Sequence, residues 1–212
     1  MEISKNCARQ LLSIKAIKLS PNAPFTWASG LKSPIYCDNR KSLSYPSIRQ
    51  FIRDGLVSII KENYPDVQVI AGVATGAIAQ GALVAEALNL PFVYVRSEEK
   101  KHGLTNKVEG VINAGDKVVV VEDLVSTGQS SLNAAHTLKD MGCNILGMVA
   151  IFTYNLPIAA QRFEESGITL HTLTNYDVLL PEAAKEGYIK EEEIQILNQW
   201  SQNPEQWAER FK

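Results

Sequence analysis

The sequence predicts an α/β domain: a parallel sheet flanked by helices, with a small lobe appended. Three observations carry this expectation. Residues 118–121 are four consecutive valines, β-branched and without polar alternation, the pattern of a central strand covered on both faces. Apolar, strand-like runs at 67–73, 90–95, 145–154 and 168–173 alternate with segments of helical periodicity, the order expected of right-handed parallel crossovers. Residues 21–34, by contrast, are punctuated by Pro21, Pro24, Gly30 and Pro34 and are too broken for helix. The expected organisation is one domain over residues 1–212, with a core at about 45–175. The small lobe is drawn mainly from residues 1–44 with part of the C-terminal tail.

In chain order, residues 3–16 place Ile3, Cys7, Leu11, Leu12 and Ile14 on an amphipathic helix whose Lys5, Arg9 and Lys15 form a solvated face. Phe25-Thr26-Trp27 and Ile35-Tyr36-Cys37 are expected as the two short strands of a hairpin-like flap. Pro46 suits the first turn of a helix carrying Ile48, Ile52, Leu56, Ile59 and Ile60. The strand at 67–73 runs into GVATGAIAQGALVAEAL, a glycine-rich turn and a second helix. No Gly-Lys-Ser/Thr follows, which disfavours a triphosphate-binding loop of that type, and the glycines serve close strand–helix packing equally well. The strand at 90–95 delivers Arg96-Ser97-Glu98-Glu99-Lys100-Lys101-His102-Gly103. In isolation this is a solvated charge run. Its exit from a core strand, with few apolar anchors, also suits a mobile lid.

Beyond residue 142, Pro157 is expected to open a helix ending near Gly167, and Pro181 a short helix in the tail. Glu191-Glu192-Glu193 marks the start of another helix, at the end where acids meet the dipole, and Asn203-Pro204 caps a third. Trp200 and Trp207 read as packing anchors; His136 and His171 read as structural.

Bulk properties narrow the function. A chain of 212 residues with net charge −2 is a poor match for non-specific nucleic-acid binding, so any anionic ligand must be met by a local cluster of charge. No stretch has the length of a membrane span, and MEISKNCARQ lacks the basic-then-apolar form of a signal peptide. Cys7, Cys37 and Cys143 are odd in number and widely spaced. They read as reduced thiols of a cytosolic protein, not as a disulfide frame or zinc site.

The stretch KVVVVEDLVSTGQSS organises the rest. The valines end in Glu122 and Asp123, then Ser126-Thr127-Gly128-Gln129-Ser130-Ser131, then a helical pattern of Leu132, Ala135, Leu138 and Met141 stopped by Gly142. A hydroxyl and glycine turn at a helix N-terminus presents backbone N–H groups to an anion. Two carboxylates alongside would repel bare phosphate and want hydroxyls or a cation, so a sugar phosphate suits both halves. Receiver domains also put an acidic pair after a valine-rich strand, but on their first strand near residue 10, whereas this pair is mid-chain.

VVVVEDLVSTGQSS resembles the motif with which type I phosphoribosyltransferases bind phosphoribosyl pyrophosphate (PRPP). Read with FTWASGLKSPIYCDNR, the likeness is to the orotate-specific members and covers about residues 20–180. It implies a type I phosphoribosyltransferase-like sheet with a hood lobe. The implied reaction moves phosphoribose from PRPP to orotate, giving orotidine 5′-monophosphate and pyrophosphate in pyrimidine biosynthesis. Mg²⁺ is the implied cofactor, bound mainly through substrate and water, in a cytoplasmic homodimer whose lid is shared between subunits. In that likeness Leu124, Val125, Ser126, Thr127, Gly128, Gln129 and Ser130 bind PRPP, the Thr127 and Ser130 hydroxyls holding its 5′-phosphate. Glu122 and Asp123 hold the ribose hydroxyls and offset developing positive charge. Ala74, Thr75 and Gly76 receive pyrophosphate, and Arg96, Lys100, Lys101 and His102 close over it. Lys100 and His102 join the two acids as the catalytic set. Tyr36, Cys37 and Ser126 meet orotate. Ala28, Gly76 and Ser97 stand where relatives carry lysine; Lys32 and Arg40 are nearby substitutes for the first, Lys101 for the last. Two rivals remain: a phosphoribosyltransferase for another base, and a regulator that binds PRPP without catalysis.

Overall fold

The computed structural model describes residues 2–27, 30–96 and 107–211. Helix α1 (Glu2–Ser13) buries Cys7, Ala8, Leu11 and Leu12 along one face, as its periodicity requires. Four short strands follow: β1 (Ile17–Leu19), β2 (Phe25–Thr26), β3 (Lys32–Ser33) and β4 (Ile35–Cys37). The expected pairing of residues 25–27 with 35–37 does not occur. Strand β2 pairs antiparallel with β3, and β4 pairs with β1, which the sequence reading missed. Local closure explains the difference. Gly30, at φ +84°, donates its N–H to the Trp27 carbonyl (2.8 Å) and folds 25–33 onto itself, while Pro34 separates β3 from β4.

A 3-10 turn (Asn39–Ser44) leads to α2 (Pro46–Asn63), with Pro46 in the first turn where a missing N–H costs nothing. The core then alternates β5 (Val69–Val73), α3 (Ile78–Leu88), β6 (Phe92–Val95), β7 (Val108–Glu109), β8 (Lys117–Val125), α4 (Gln129–Asp140), β9 (Asn144–Thr153), α5 (Pro157–Ser166) and β10 (Leu170–Asn175). The sheet order is β10-β9-β8-β5-β6-β7, parallel throughout except for the edge strand β7. Strand β8 is therefore central, and residues 118–121 have no exposed surface. Val119 and Val121 enter the core beneath α1 and α2; Val118 and Val120 enter the one formed with Leu132, Leu138 and Phe163 of α4 and α5. Burying one valine is worth roughly 1.5–3 kcal/mol, so neither face tolerates a polar residue. Strand β8 also continues past the acids where it was expected to end. Strand β9 runs beside it, pairing Glu122 with Ala150, Leu124 with Phe152 and Val125 with Thr153.

The tail forms α6 (Tyr176–Lys185), α7 (Glu191–Gln202) and α8 (Pro204–Ala208). Pro181 does not open a helix; it lies inside α6, which starts five residues earlier. The Asn175 side chain caps that start, accepting from the Val178 N–H at 3.0 Å, and buried Tyr176, Leu179, Leu180 and Ala183 hold the helix down. The bond Pro181 removes falls on the carbonyl of exposed Asp177, where water can replace it. Lys190 donates its backbone N–H to Glu193 Oε2 (2.9 Å) at the start of α7, and Asn203 caps α8 by accepting from the Gln206 N–H. Trp200, fully buried, meets the rings of Trp27, Tyr154 and Tyr176 at 5.8, 5.5 and 5.3 Å. The tail thus packs directly against the N-terminal hairpin through Trp27. Among the described residues, no helix is long and apolar enough to cross a membrane.

Candidate active site

Among the described residues, the candidate site side chains gather at the carboxyl end of the sheet, where parallel sheets leave a crevice. Its floor is the end of β8. Glu122 is buried and accepts from the Ser131 hydroxyl (2.8 Å) and the Asp123 N–H (3.1 Å). Asp123 is less enclosed and borders a cavity of about 330 Å³ with Asp38, Arg40, Ala74, Thr75, Gly76, Glu122 and Ser130. Its carbonyl accepts from Asn39 Nδ2 at 2.6 Å, a bond from the 3-10 turn that follows β4. Asn39 was not singled out in the sequence, although it lies within the CDNR run; only the fold brings it to the acid.

Burial pushes the Glu122 carboxyl well above its ordinary value, and the neighbouring Asp123 charge acts in the same direction. Burial also raises Asp123, against the opposing pull of its contact with Glu122 and of the Arg40 charge. Arg40 is held by Asp38 at 2.7 Å, a contact that raises the arginine and lowers the aspartate. Two carboxylates whose ionised forms are poorly solvated gain most from a ligand that brings hydroxyl donors or positive charge.

The loop beyond β8 turns at Gly128, which adopts φ +76° as the residue before α4. The leading N–H groups of α4 have no partner within the helix and are free for an anion. Ser130 lies within this first turn and borders both the cavity above Asp123 and a second, of about 280 Å³, lined by Ala74, Arg96, Lys107, Asn133, His136 and Thr137. Arg96 lies 3.5 Å from Glu109 there, and its N–H donates to the Lys107 carbonyl. His136, expected to be structural, lines this cavity; Lys107 was not anticipated. Thr127 is exposed, its carbonyl accepting from Arg162 Nη1 at 3.0 Å, and Gln129 Nε2 turns outward to Asn133.

Across β5, residues 74–76 form the turn into α3, with a cis peptide between Ala74 and Thr75. Gly76 is packed so closely on Asp123 that a Cβ there would collide with the carboxylate. A third cavity, about 260 Å³, lies on the lobe side and is lined by Thr26, Trp27, Tyr36, Cys37, Leu124, Ser126 and Tyr154. Tyr36 lines it with 39% of its surface exposed and is not a core aromatic. Trp27 stacks on Tyr154 with ring centres 5.4 Å apart and 26° between planes, giving a flat aromatic wall that sequence reading did not foresee. Burial pushes the Cys37 thiol well above its ordinary value, helped by the Asp123 and Asp38 charges, which favours the neutral thiol as a contact. Lys100, Lys101 and His102, together with Ala28 and Ser97, lie outside the described residues.

Comparison with known proteins identifies the family. Residues 44–169 match the family described as phosphoribosyl transferase domain. The chain is 57% identical over 206 residues to an orotate phosphoribosyltransferase of Porphyromonas gingivalis, covering 97% of this chain and 98% of that one. It is 52% identical to one from Listeria monocytogenes, covering 98% and 100%. Among solved structures, orotate phosphoribosyltransferase from Aeropyrum pernix superposes with a TM-score of 0.74 at 27% identity, over 86% of this chain and 98% of that one. Leishmania donovani UMP synthase superposes with a TM-score of 0.77 at 25% identity, over 93% of this chain and 42% of the larger protein. At such identity over nearly the full length, this chain belongs to the orotate phosphoribosyltransferase family of type I phosphoribosyltransferases.

Proposed function

We propose that this chain transfers phosphoribose from PRPP to orotate, giving orotidine 5′-monophosphate and pyrophosphate for pyrimidine nucleotide synthesis. One observation carries the assignment of residues: the three cavities share their walls in a row. The lobe-side cavity and the Asp123 cavity share Cys37 and Leu124; the Asp123 cavity and the Arg96 cavity share Val73, Ala74 and Ser130. A flat aromatic compartment, a diacid compartment and a basic compartment in that order match a base, a ribose and a pyrophosphate.

In this reading orotate lies against Tyr36, Cys37, Ser126 and the Trp27–Tyr154 wall. The 5′-phosphate rests on the backbone of residues 125–130 with the Thr127 and Ser130 hydroxyls. Ribose hydroxyls donate to Asp123 and Glu122, while Ser131 keeps Glu122 oriented. The bond from C1′ to the pyrophosphate oxygen breaks with its electron pair leaving on oxygen, the nitrogen pair of N1 of orotate forms the new bond to C1′, and the proton N1 carried passes to the departing pyrophosphate or to solvent. Positive charge on C1′ and the ring oxygen develops beside Asp123, where burial has removed competing water, so the chain stabilises it by electrostatics and not by a covalent nucleophile. Backbone groups of residues 74–76, with Arg96 and, from the lid, Lys100, Lys101 and His102, receive the leaving group.

A divalent cation fits this donor set. Among the described residues no three acidic, histidine or cysteine side chains cluster as a metal cage. Mg²⁺ would therefore be held chiefly by PRPP oxygens and water, with Asp123 the carboxylate open to it, and when bound it would neutralise pyrophosphate charge. We extend the proposal to a homodimer with a shared lid, to one domain with a hood at 1–44 and part of the tail, and to the cytoplasm, consistent with three unpaired thiols. The deciding assay follows orotate absorbance in the ultraviolet with PRPP and Mg²⁺, beside uracil and purine bases. Orotate should be consumed and the other bases spared; no loss of orotate absorbance, or preference for another base, would reject the assignment.

A further inference from the structure

Orotate differs from uracil by a carboxylate, and the compartment assigned to the base offers that anion no cation among the described residues that line it. Its lining is Thr26, Trp27, Tyr36, Cys37, Leu124, Ser126 and Tyr154. An anion enclosed by such a wall without a partner is strongly disfavoured. The missing charge stands one residue away. Thr26 and Lys32 face each other in the β2–β3 ladder, so their side chains leave the same face of the hairpin. Lys32 Nζ donates to Thr26 Oγ1 at 2.8 Å, which draws the ammonium to the rim of the compartment. That bond uses one of three ammonium donors. Lys32 is partly buried, so its charge is less screened than at a fully exposed site. The hairpin is also tied to the pocket, since Phe25 of β2 meets Tyr36 at 5.8 Å.

Two other cations need weighing. Arg40 is committed to Asp38 at 2.7 Å and borders the ribose compartment, not the base. Lys18 lies opposite Tyr36 in the β1–β4 ladder but is exposed. We infer that Lys32, positioned by Thr26, binds the substrate carboxylate and is the residue that selects orotate over uncharged pyrimidines. This rests on the function proposed above and adds to it a specificity residue.

The test compares steady-state kinetics of wild type, Lys32→Gln, Lys32→Arg and Lys18→Gln, with uracil as a carboxylate-free competitive probe. Lys32→Gln should raise the KM for orotate about tenfold, the scale of a charge-assisted hydrogen bond discounted for partial exposure. The KM for PRPP and uracil inhibition should be unchanged, Lys32→Arg should recover most of the loss, and Lys18→Gln should match wild type. An unchanged orotate KM in Lys32→Gln, an equal loss for uracil and orotate, or an effect that follows Lys18 would overturn the inference. Wild-type protein that fails to consume orotate would instead overturn the functional assignment, so the two failures are distinct.

Discussion

Gly76 offers the sharpest test of how Asp123, the acid proposed to face the ribose, is positioned. Its backbone is not among the positive-φ glycines, so alanine carries no torsional penalty there. The whole cost of Gly76→Ala is the collision of its Cβ with the Asp123 carboxylate. Restoring an ordinary contact requires a displacement on the order of 1 Å, the distance at which van der Waals repulsion is relieved. The acid cannot shift as a unit, because Asn39 holds its carbonyl at 2.6 Å and β9 pairs with β8 on both sides of it. The side chain must swing or the 74–76 turn must open, and either misplaces groups around the ribose. Misplacement of about 1 Å at a reacting centre costs roughly a hundredfold in rate. Overpacking adds roughly 1–3 kcal/mol of lost stability, or about 2–4 °C in Tm per kcal/mol for a chain of this size.

The assay is kcat for orotate and PRPP with thermal unfolding in parallel, using Asp123→Asn as the reference. That variant should itself lose roughly a hundredfold, the scale of one electrostatic contact to the transition state. Because both changes act through one carboxylate, the double variant should be little worse than Asp123→Asn alone. A Gly76→Ala protein with kcat within about threefold of wild type would refute the reasoning, as would simple multiplication of the two losses.

Glu122→Gln should stabilise the protein at neutral pH while impairing turnover. The Glu122 pKa is raised by burial, so the stability linked to its protonated form is present below about pH 4 and is lost as pH rises through the raised value. The Tm advantage of Glu122→Gln over wild type should therefore grow from pH 4 towards pH 8; a difference independent of pH would count against a strained carboxylate. Asn39→Ala should leave the Asp123 carbonyl without its buried donor, costing roughly 1–3 kcal/mol of stability, and should lower kcat more than it raises the KM for orotate. Equal effects on both, with stability unchanged, would separate Asn39 from the acid. For the proposed shared lid, Lys100→Ala and Asp123→Asn proteins refolded together should regain roughly a quarter of wild-type activity through mixed dimers; no recovery despite confirmed subunit exchange would place each lid over its own site.

What could be read along the chain was what local composition enforces. A strand buried on both faces must be apolar at every position, so the valines announced the centre of the sheet, and the acids and the Ser-Thr-Gly turn had to follow at its carboxyl end. Proline at 46 and 157 marked helix starts because its ring suits a first turn; at 181 the same signal misled, since the Asn175 cap and a buried apolar face outweigh one missing hydrogen bond at an exposed carbonyl. The three-residue strand β1 has too few positions to show a period, and its pairing with β4 depends on residues eighteen or so positions away. Asn39 reaches Asp123 across 84 residues, Trp27 beside the β2–β3 hairpin stacks on Tyr154 at the end of β9, and Gly76 meets Asp123 from the turn after the neighbouring strand. None of these leaves a trace in spacing, because contact between distant segments is decided by strand order, and strand order is a property of the packed sheet. The sequence by itself pointed to candidate groups for the chemistry; tertiary packing alone decided which of them share one cavity, and which neighbour holds each in place.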